Sequence, residues 1–414
     1  MSTVTITITR LGAQGHGIAN GPDGPVYVPH ALPGETLAIA RNGDHGTVIS
    51  TSNPSPDRIE PLCRHFDPDR DACGGCSLQH LAAEPYHAFK RQLVVDALKS
   101  KGLTPEVGAL VIAHPGERRR AVFSARQTED EFLLGFNRAE TNHIVSISEC
   151  PIASPGIVDR LEAIRSVGKA LAQGSGVFRI SVLETLSGLD IAAEGLKAPS
   201  DKQRRLVTDV VLSLKNIARV SINGEIIIEL QRPVIDFGGV AVSPPAGGFT
   251  QATRQAEDAM ATLVLDHVGK AKRVIDLFAG SGTFSLRLAR KAKVHAVESD
   301  DKSVKALDHA ARNTQGLKPV TVEKRDLFRR PMMLSELKNY DALVFDPPRA
   351  GAETQVKELA RSTVKTIAAV SCNPLTLARD LRVLVDGGYK IVSVTPIDQF
   401  LWSPHVEAVA LLTR

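Results

Sequence analysis

Residues 273–298, RVIDLFAGSGTFSLRLARKAKVHAVE, decide the fold class. An apolar strand is expected to end in Asp276 and run into the turn Gly280-Ser281-Gly282, a helix opens at Thr283, and a second apolar run ends at Glu298. Glycine at both turn positions lets the backbone take torsions that a side chain resists and approach a ligand closely. Two strands joined by a helical crossover predict a parallel pair. The rhythm continues outward. A helix-like QATRQAEDAMATLVLDHV precedes the stretch, and KSVKALDHAARN, PVTVEKRD with Asp326, DALVFDPP with Asp346 and TVKTIAAVSC with Cys372 follow it. This alternation predicts an α/β, Rossmann-like doubly wound domain over residues 246–414, with ligands at the carboxyl ends of its strands.

Upstream the pattern changes twice. Residues 1–53 read as short strands broken by Gly and Pro, a small β-barrel. TSNPSPDRIEPL reads as a linker, and a helix near residues 82–102, stopped at Gly102, is expected to pack on the downstream domain. Mostly β-type segments follow to the Gly/Pro-rich GGVAVSPPAGGF, so residues 54–245 form a β-rich central domain in this reading. The 414 residues include no apolar run long enough for a membrane span and no signal-peptide core, so a cytoplasmic protein with no membrane partner is expected. The net charge of +4 permits an anionic partner, and the 4% aromatic content argues against a broad base-stacking platform.

The strand ends favour a nucleoside cofactor. Glu298 stands where a carboxylate accepts hydrogen bonds from two ribose hydroxyls. GSGTFS lacks the third glycine of the pyrophosphate fingerprint, which favours S-adenosylmethionine over a nicotinamide dinucleotide. The plainer alternative is an α/β domain without a cofactor, against which three acidic strand ends count.

A second group of residues carries chemistry. Asp346-Pro347-Pro348 presents a carboxylate on a stiff turn, with Arg349 placed to meet a phosphate or base edge. Cys372 follows a strand in VSCNP, next to a Pro-stiffened turn. Most buried cysteines are small hydrophobes, but a thiol at a strand tip beside a cofactor pocket has a use. Carbon 5 of uracil is a poor nucleophile; adding a thiolate to carbon 6 makes it enolate-like and able to attack a methyl sulfonium, after which a base removes the carbon-5 proton. Glu407, set in the apolar run HVEAVALL, suits that base, since burial raises its proton affinity. A solvent-facing strand-edge carboxylate is its alternative role, and His405 competes as base.

DLFAGSGTFSLRLA, FDPPRAGA, SCNPLTLARDL and HVEAVALL, in this order, resemble the bacterial uridine-C5 RNA methyltransferases that act on 23S ribosomal RNA and tRNA. The resemblance covers nearly the whole chain. AQGHGIANGPDGPVYVPHALPGE looks like that family's OB-like TRAM barrel, an RNA-binding module, and GGFTQAT looks like its motif bringing a glutamine to the methyl donor. The resemblance implies Cys372 as nucleophile, Glu407 as base, and Gln251, Phe278, Glu298, Asp326 and Asp346 around S-adenosylmethionine, with Gly280, Gly282 and Thr283 forming the turn. Thr283 departs from the Asn common in close relatives.

Four other cysteines, Cys63, Cys73, Cys76 and Cys150, form C-x9-C-x2-C with a distant fourth member. With no secretion signal and an odd total of five, a disulfide framework is disfavoured. Spacing leaves structural zinc and an iron-sulfur cluster both open. The resemblance implies a [4Fe-4S] cluster, as in the ribosomal RNA members, and with it 23S rRNA as substrate, a tRNA uridine being the alternative. The first gap is longer than in relatives by a polar DPDR-like insertion.

Basic runs at Arg118–Arg120, Lys202–Arg205 and Arg329-Arg330 are candidates for phosphate contacts, although such runs are often simply solvated faces. A uridine would have to be flipped from its stack to react, which favours an RNA loop. A monomer is expected. Two readings of other classes compete: an amino-group methyltransferase built around DPPR, and a non-catalytic iron-sulfur RNA-binding or sensor protein.

Overall fold

The computed structural model describes residues 2–21, 24–66 and 72–414. The insertion DPDR, residues 67–70, lies outside the described residues.

The N-terminal strands, from Ser2–Thr7 to His45–Asn53, make one six-stranded sheet. It closes over Ile6, Ile8, Val26, Val28, Leu37 and Ile39, the alternate apolar positions of its strands. The segment expected to be a linker is tied down. Arg58 donates to both oxygens of the fully buried Glu35, at 2.6 and 2.8 Å, and Glu35 also accepts from the backbone of Leu32 and Ser55. Two charge-assisted bonds to one buried carboxylate hold what composition suggests is loose.

A second, seven-stranded sheet spans Arg120–Gln127 to Glu225–Glu229, with helices Leu161–Leu171 and Asp201–Ser213 packed on its core. The Gly/Pro-rich stretch expected at its end is also more structured than its composition implies: Ile235–Asp236 and Ala241–Val242 pair as a hairpin, and Phe237, Val240 and Val242 pack with Leu286 and Ala310.

The third sheet holds the candidate site. Its strands are β1 (Arg273–Leu277), β2 (Lys293–Glu298), β3 (Val320–Lys324), β4 (Ala342–Phe345), β5 (Thr366–Ser371), β6 (Lys390–Ile397) and β7 (Glu407–Thr413). They lie in the order β3-β2-β1-β4-β5-β7-β6, with β7 antiparallel to both neighbours. The order reverses between β1 and β4, the switch point where open α/β sheets bind ligands. Because β7 runs backwards, its first residue, Glu407, lies at the edge where the other strands end. Register fixes this: Ser371 pairs with Ala408, Ile397 with Glu407, and Leu277 with both Val297 and Phe345. Phe278, Glu298, Asp346, Cys372 and Glu407 therefore gather at one edge. The helix Ala83–Lys99 adds Val94, Ala97 and Leu98 to this sheet's core.

Candidate active site

A cavity of about 850 Å³ opens at that edge. Gln251, Phe278, Gly280, Thr283, Glu298, Asp326, Asp346, Cys372 and Glu407 all line it. Gly282, expected among them, does not: its φ of 104° places it behind the turn, where an added Cβ would stand 3.0 Å from Leu286 and 3.1 Å from Leu307. It shapes the turn from the core side.

One half of the cavity is built around the turn after β1. Phe278 itself has a φ of 60°, a left-handed conformation uncommon for a bulky residue. Glu298 supports the turn, accepting from the Gly280 N–H at 2.9 Å through Oε2 and from the Ser299 and Asp300 N–H groups through Oε1. Asp326 accepts from the backbone of Phe328. The Phe278 and Phe328 rings lie tilted at 55° to one another with centroids 5.6 Å apart. Phe328 is 45% exposed although it lines the cavity, and sequence reasoning missed it. A free aromatic face beside a carboxylate suits a planar heterocycle carrying a ribose. Asp276 stays below, fully buried and accepting from the Ser285 hydroxyl at 2.5 Å, so it props the turn.

The other half carries nucleophile and carboxylates. Cys372 sits between β5 and the helix Pro374–Asp386, whose N-cap is Asn373, its side chain accepting from the Leu375 N–H at 3.1 Å. Pro374 is the first helical residue, where its missing N–H costs nothing. Asn373 also donates to the Arg349 carbonyl at 3.1 Å, fastening the cysteine turn to the Asp346 turn. Burial, then the charges of Glu407 and Asp346, push the Cys372 thiol up to about 11, opposed by Arg349. Burial also raises Asp346 and Glu407 above the usual carboxylate range, and the charge of Asp346 raises Glu407 further. Two carboxyl groups sharing one desolvated cavity do not readily both ionise. His405 lines the cavity too but is exposed, whereas Glu407 is 2% exposed.

The segment between β6 and β7 is pinned from below. The fully buried Lys90 ammonium pairs with Asp398 at 3.0 Å and donates to the carbonyls of Phe400 and His405. The Tyr86 hydroxyl donates to Asp398 at 2.6 Å and accepts from the Trp402 N–H. An ion pair with its remaining valences met by hydrogen bonds is what a buried charge requires.

The basic runs divide. Arg119 is not available to phosphates: it is buried, donates to Glu257 at 2.6 Å and to the Gln251 carbonyl at 3.2 Å, and so locks the central sheet to the helix Arg254–Val268. Arg118 and Arg120 flank it, their guanidinium groups 5.9 Å from the rings of Phe400 and Phe249, two residues of the cavity wall. Arg329 pairs with Asp326 at 3.5 Å, and Arg204 with Glu225 at 2.7 Å.

All four remaining cysteines are free thiols. Burial raises the Cys63, Cys73 and Cys76 thiols, Cys73 to about 11. The Gly75 N–H donates to the Cys73 sulfur at 3.4 Å. Gly74 passes so close to the neighbouring strand end that an added Cβ would stand 2.6 Å from the Asn137 carbonyl. Among the described residues, no group of three or more His, Cys, Asp or Glu side chains stands in metal-binding geometry. Also among them, no helix is long and apolar enough to cross a membrane.

Residues 104–414 match the family described as tRNA (uracil-5-)-methyltransferase. The chain belongs to that family. It is an RNA methyltransferase with the α/β methyltransferase fold that the sequence predicts. A 23S rRNA (uracil(1939)-C(5))-methyltransferase of Chromohalobacter salexigens is 31% identical, covering 99% of this chain and 89% of that protein. An uncharacterised RNA methyltransferase of Agrobacterium fabrum is 69% identical over the full length of both. The crystal structure of a Pyrococcus abyssi tRNA (uracil-54, C5)-methyltransferase in complex with S-adenosyl-L-homocysteine shares the fold, with a TM-score of 0.76, 22% identity and 99% coverage of both chains.

Proposed function

We propose that this protein transfers a methyl group from S-adenosylmethionine to carbon 5 of one uridine in 23S rRNA through a covalent bond between Cys372 and carbon 6. The observation that carries the reading is the meeting of Cys372 and Glu407 in one cavity, brought together only because β7 runs antiparallel. The full-length likeness to the Chromohalobacter enzyme supports 23S rRNA. A tRNA uridine is the second reading, supported by the whole-chain fold shared with the Pyrococcus protein.

In this reading Phe278, Glu298, Asp326 and the Gly280–Thr283 turn hold the donor, with Gln251 and Asp346 at the end where the methyl group lies. The donor supplies an electrophilic methyl. Cys372, once its proton is lost to solvent, bonds as thiolate to carbon 6, the pair of the carbon 5–carbon 6 double bond moves to make an enolate, and carbon 5 takes the methyl while the methyl–sulfur pair stays with the donor, which would leave as S-adenosylhomocysteine. Glu407 then removes the carbon-5 proton; the C–H pair restores the double bond and the carbon 6–sulfur pair returns to Cys372. Residues 1–53 are proposed as an RNA-binding module of the TRAM type, 54–245 as a central domain and 246–414 as the methyltransferase domain of a cytoplasmic monomer.

The proposal includes a [4Fe-4S] cluster held by Cys63, Cys73, Cys76 and Cys150, with zinc as the alternative. Supporting it are the spacing of four cysteines that form no disulfide and the N–H bond donated to the Cys73 sulfur. Anaerobically purified protein is expected to be brown, and Cys73→Ser colourless; colourless wild-type protein with stoichiometric zinc would overturn the cluster.

The function is tested by incubating the protein and labelled S-adenosylmethionine with total RNA from a strain lacking its gene. One new 5-methyluridine in 23S rRNA is expected. Label confined to tRNA would move the substrate to the second reading, and label at a base nitrogen would overturn the chemistry.

A further inference from the structure

Gln399 enters the site from the segment between β6 and β7, is 2% exposed, and has its amide orientation fixed by the backbone. Its Oε1 accepts from the Ala252 N–H at 3.0 Å, so its NH2 must point the other way. That NH2 donates to Glu407 Oε2 at 2.6 Å and to Gln251 Oε1 at 2.9 Å. With its oxygen so engaged, Gln251 turns its own NH2 to Asp346 Oδ2, at 3.0 Å. The result is a one-way chain, backbone N–H to Gln399 to both Glu407 and Gln251, and Gln251 to Asp346, in which each carboxylate can only accept. Oε1 of Glu407 takes no hydrogen bond among the described residues and is left to the cavity.

We propose that Gln399 is a positioning residue for the proton-removal step: it holds Oε2 of Glu407 as an acceptor, aims the free Oε1 at the carbon-5 proton and favours the ionised carboxylate. The inference rests on the reading of Glu407 as base. A hydrogen bond donated to a buried carboxylate favours its charged form, and here it opposes the effects of burial and of Asp346. The chain also couples the two carboxyls, because a shift of either moves a shared glutamine pair.

The test separates elimination from the steps before it. Gln399→Met keeps the volume and removes the donor. Single-turnover release of free 5-methyluridine RNA from the covalent adduct, with RNA from the deletion strain, is expected to slow on the order of tenfold at neutral pH, with its acid limb moved up by about one pH unit, the equivalent of one charged hydrogen bond. A 23S rRNA transcript substituted with 5-fluorouridine has no carbon-5 proton to lose at the target, so wild type and Gln399→Met should form the covalent complex at equal rates. An unchanged pH profile for Gln399→Met overturns the inference. Loss of the covalent complex in both Gln399→Met and Gln399→Leu also overturns it, since Gln399 would then act in folding or in attack. Failure of the wild type to form the complex overturns instead the covalent reading on which the inference rests.

Discussion

Cys372→Ala is expected to abolish methyl transfer, by on the order of 10⁴-fold or more, and to leave no covalent complex with 5-fluorouridine RNA. Without sulfur, carbon 5 stays a weakly nucleophilic vinyl carbon, and nothing else lining the cavity is a comparable nucleophile toward carbon 6. The substitution removes one half-buried atom at a strand-to-helix junction whose cap belongs to Asn373, so folding is retained. Donor binding is expected to be retained as well, because the residues proposed to hold the donor, Phe278, Glu298 and Asp326, lie at or just past the ends of other strands. Equilibrium binding of S-adenosylmethionine within twofold of wild type, together with absent transfer, is the expected pair of results. An amino-group methyltransferase, in which a lone pair attacks the methyl directly, would keep its activity in this variant. The wild-type rate should also rise with pH from neutral upward, because burial and two neighbouring carboxyls hold the thiol protonated up to about 11. The sign follows from the reactive form: the thiolate attacks, and alkali populates it. The adjacent helix N-terminus and Arg349 act in the opposite sense, easing ionisation once the substrate is in place.

The strand ends were legible because each is punctuated. Gly280, Pro347 and Pro374 mark where a strand must stop, and an acidic or thiol residue at each stop is visible without any knowledge of pairing. Position relative to one another was not visible in the same way. Arg119 sits in a run of three arginines and reads locally as a phosphate contact, yet its partner Glu257 is 138 residues away on a helix. Gln399 bonds to a glutamine 148 residues distant, and a neutral amide in the run IDQFLWS gives no local sign of that role. Phe328 was hidden for a different reason: an aromatic after a strand reads as core until the cavity leaves it half bare. Composition misled at TSNPSPDRIEPL, where Pro and Ser suggest slack, because Arg58 finds the buried carboxylate of Glu35, just before a strand of the N-terminal sheet. Local sequence records where chain direction changes; it does not record which distant charge answers a buried one.

Glu407→Gln separates the two halves of the reaction. The two side chains have the same shape, and Gln399 can still donate to an oxygen of the new amide, so the loop and β7 keep their places. The amide cannot take a proton. Attack by Cys372 and methyl transfer proceed, and carbon 5 then carries both a methyl group and a hydrogen that no group removes. Elimination should slow by about 10²- to 10⁴-fold, the usual contribution of a positioned base. Methylated RNA is therefore expected to accumulate bound to protein through sulfur, visible on a denaturing gel with unsubstituted RNA, where wild type shows none. Replacing the acid also removes one of the two carboxyls that hold the thiol protonated, so the first step should lose no speed and its pH dependence should move toward lower pH. Normal turnover without a trapped species would place the base elsewhere, and His405 at the exposed rim of the same cavity is the residue it would point to. His405→Ala in the wild-type background distinguishes the two. Because Glu407 is buried while His405 is open to solvent, only Glu407 is kept out of reach of water, and the His405 variant should eliminate at the wild-type rate.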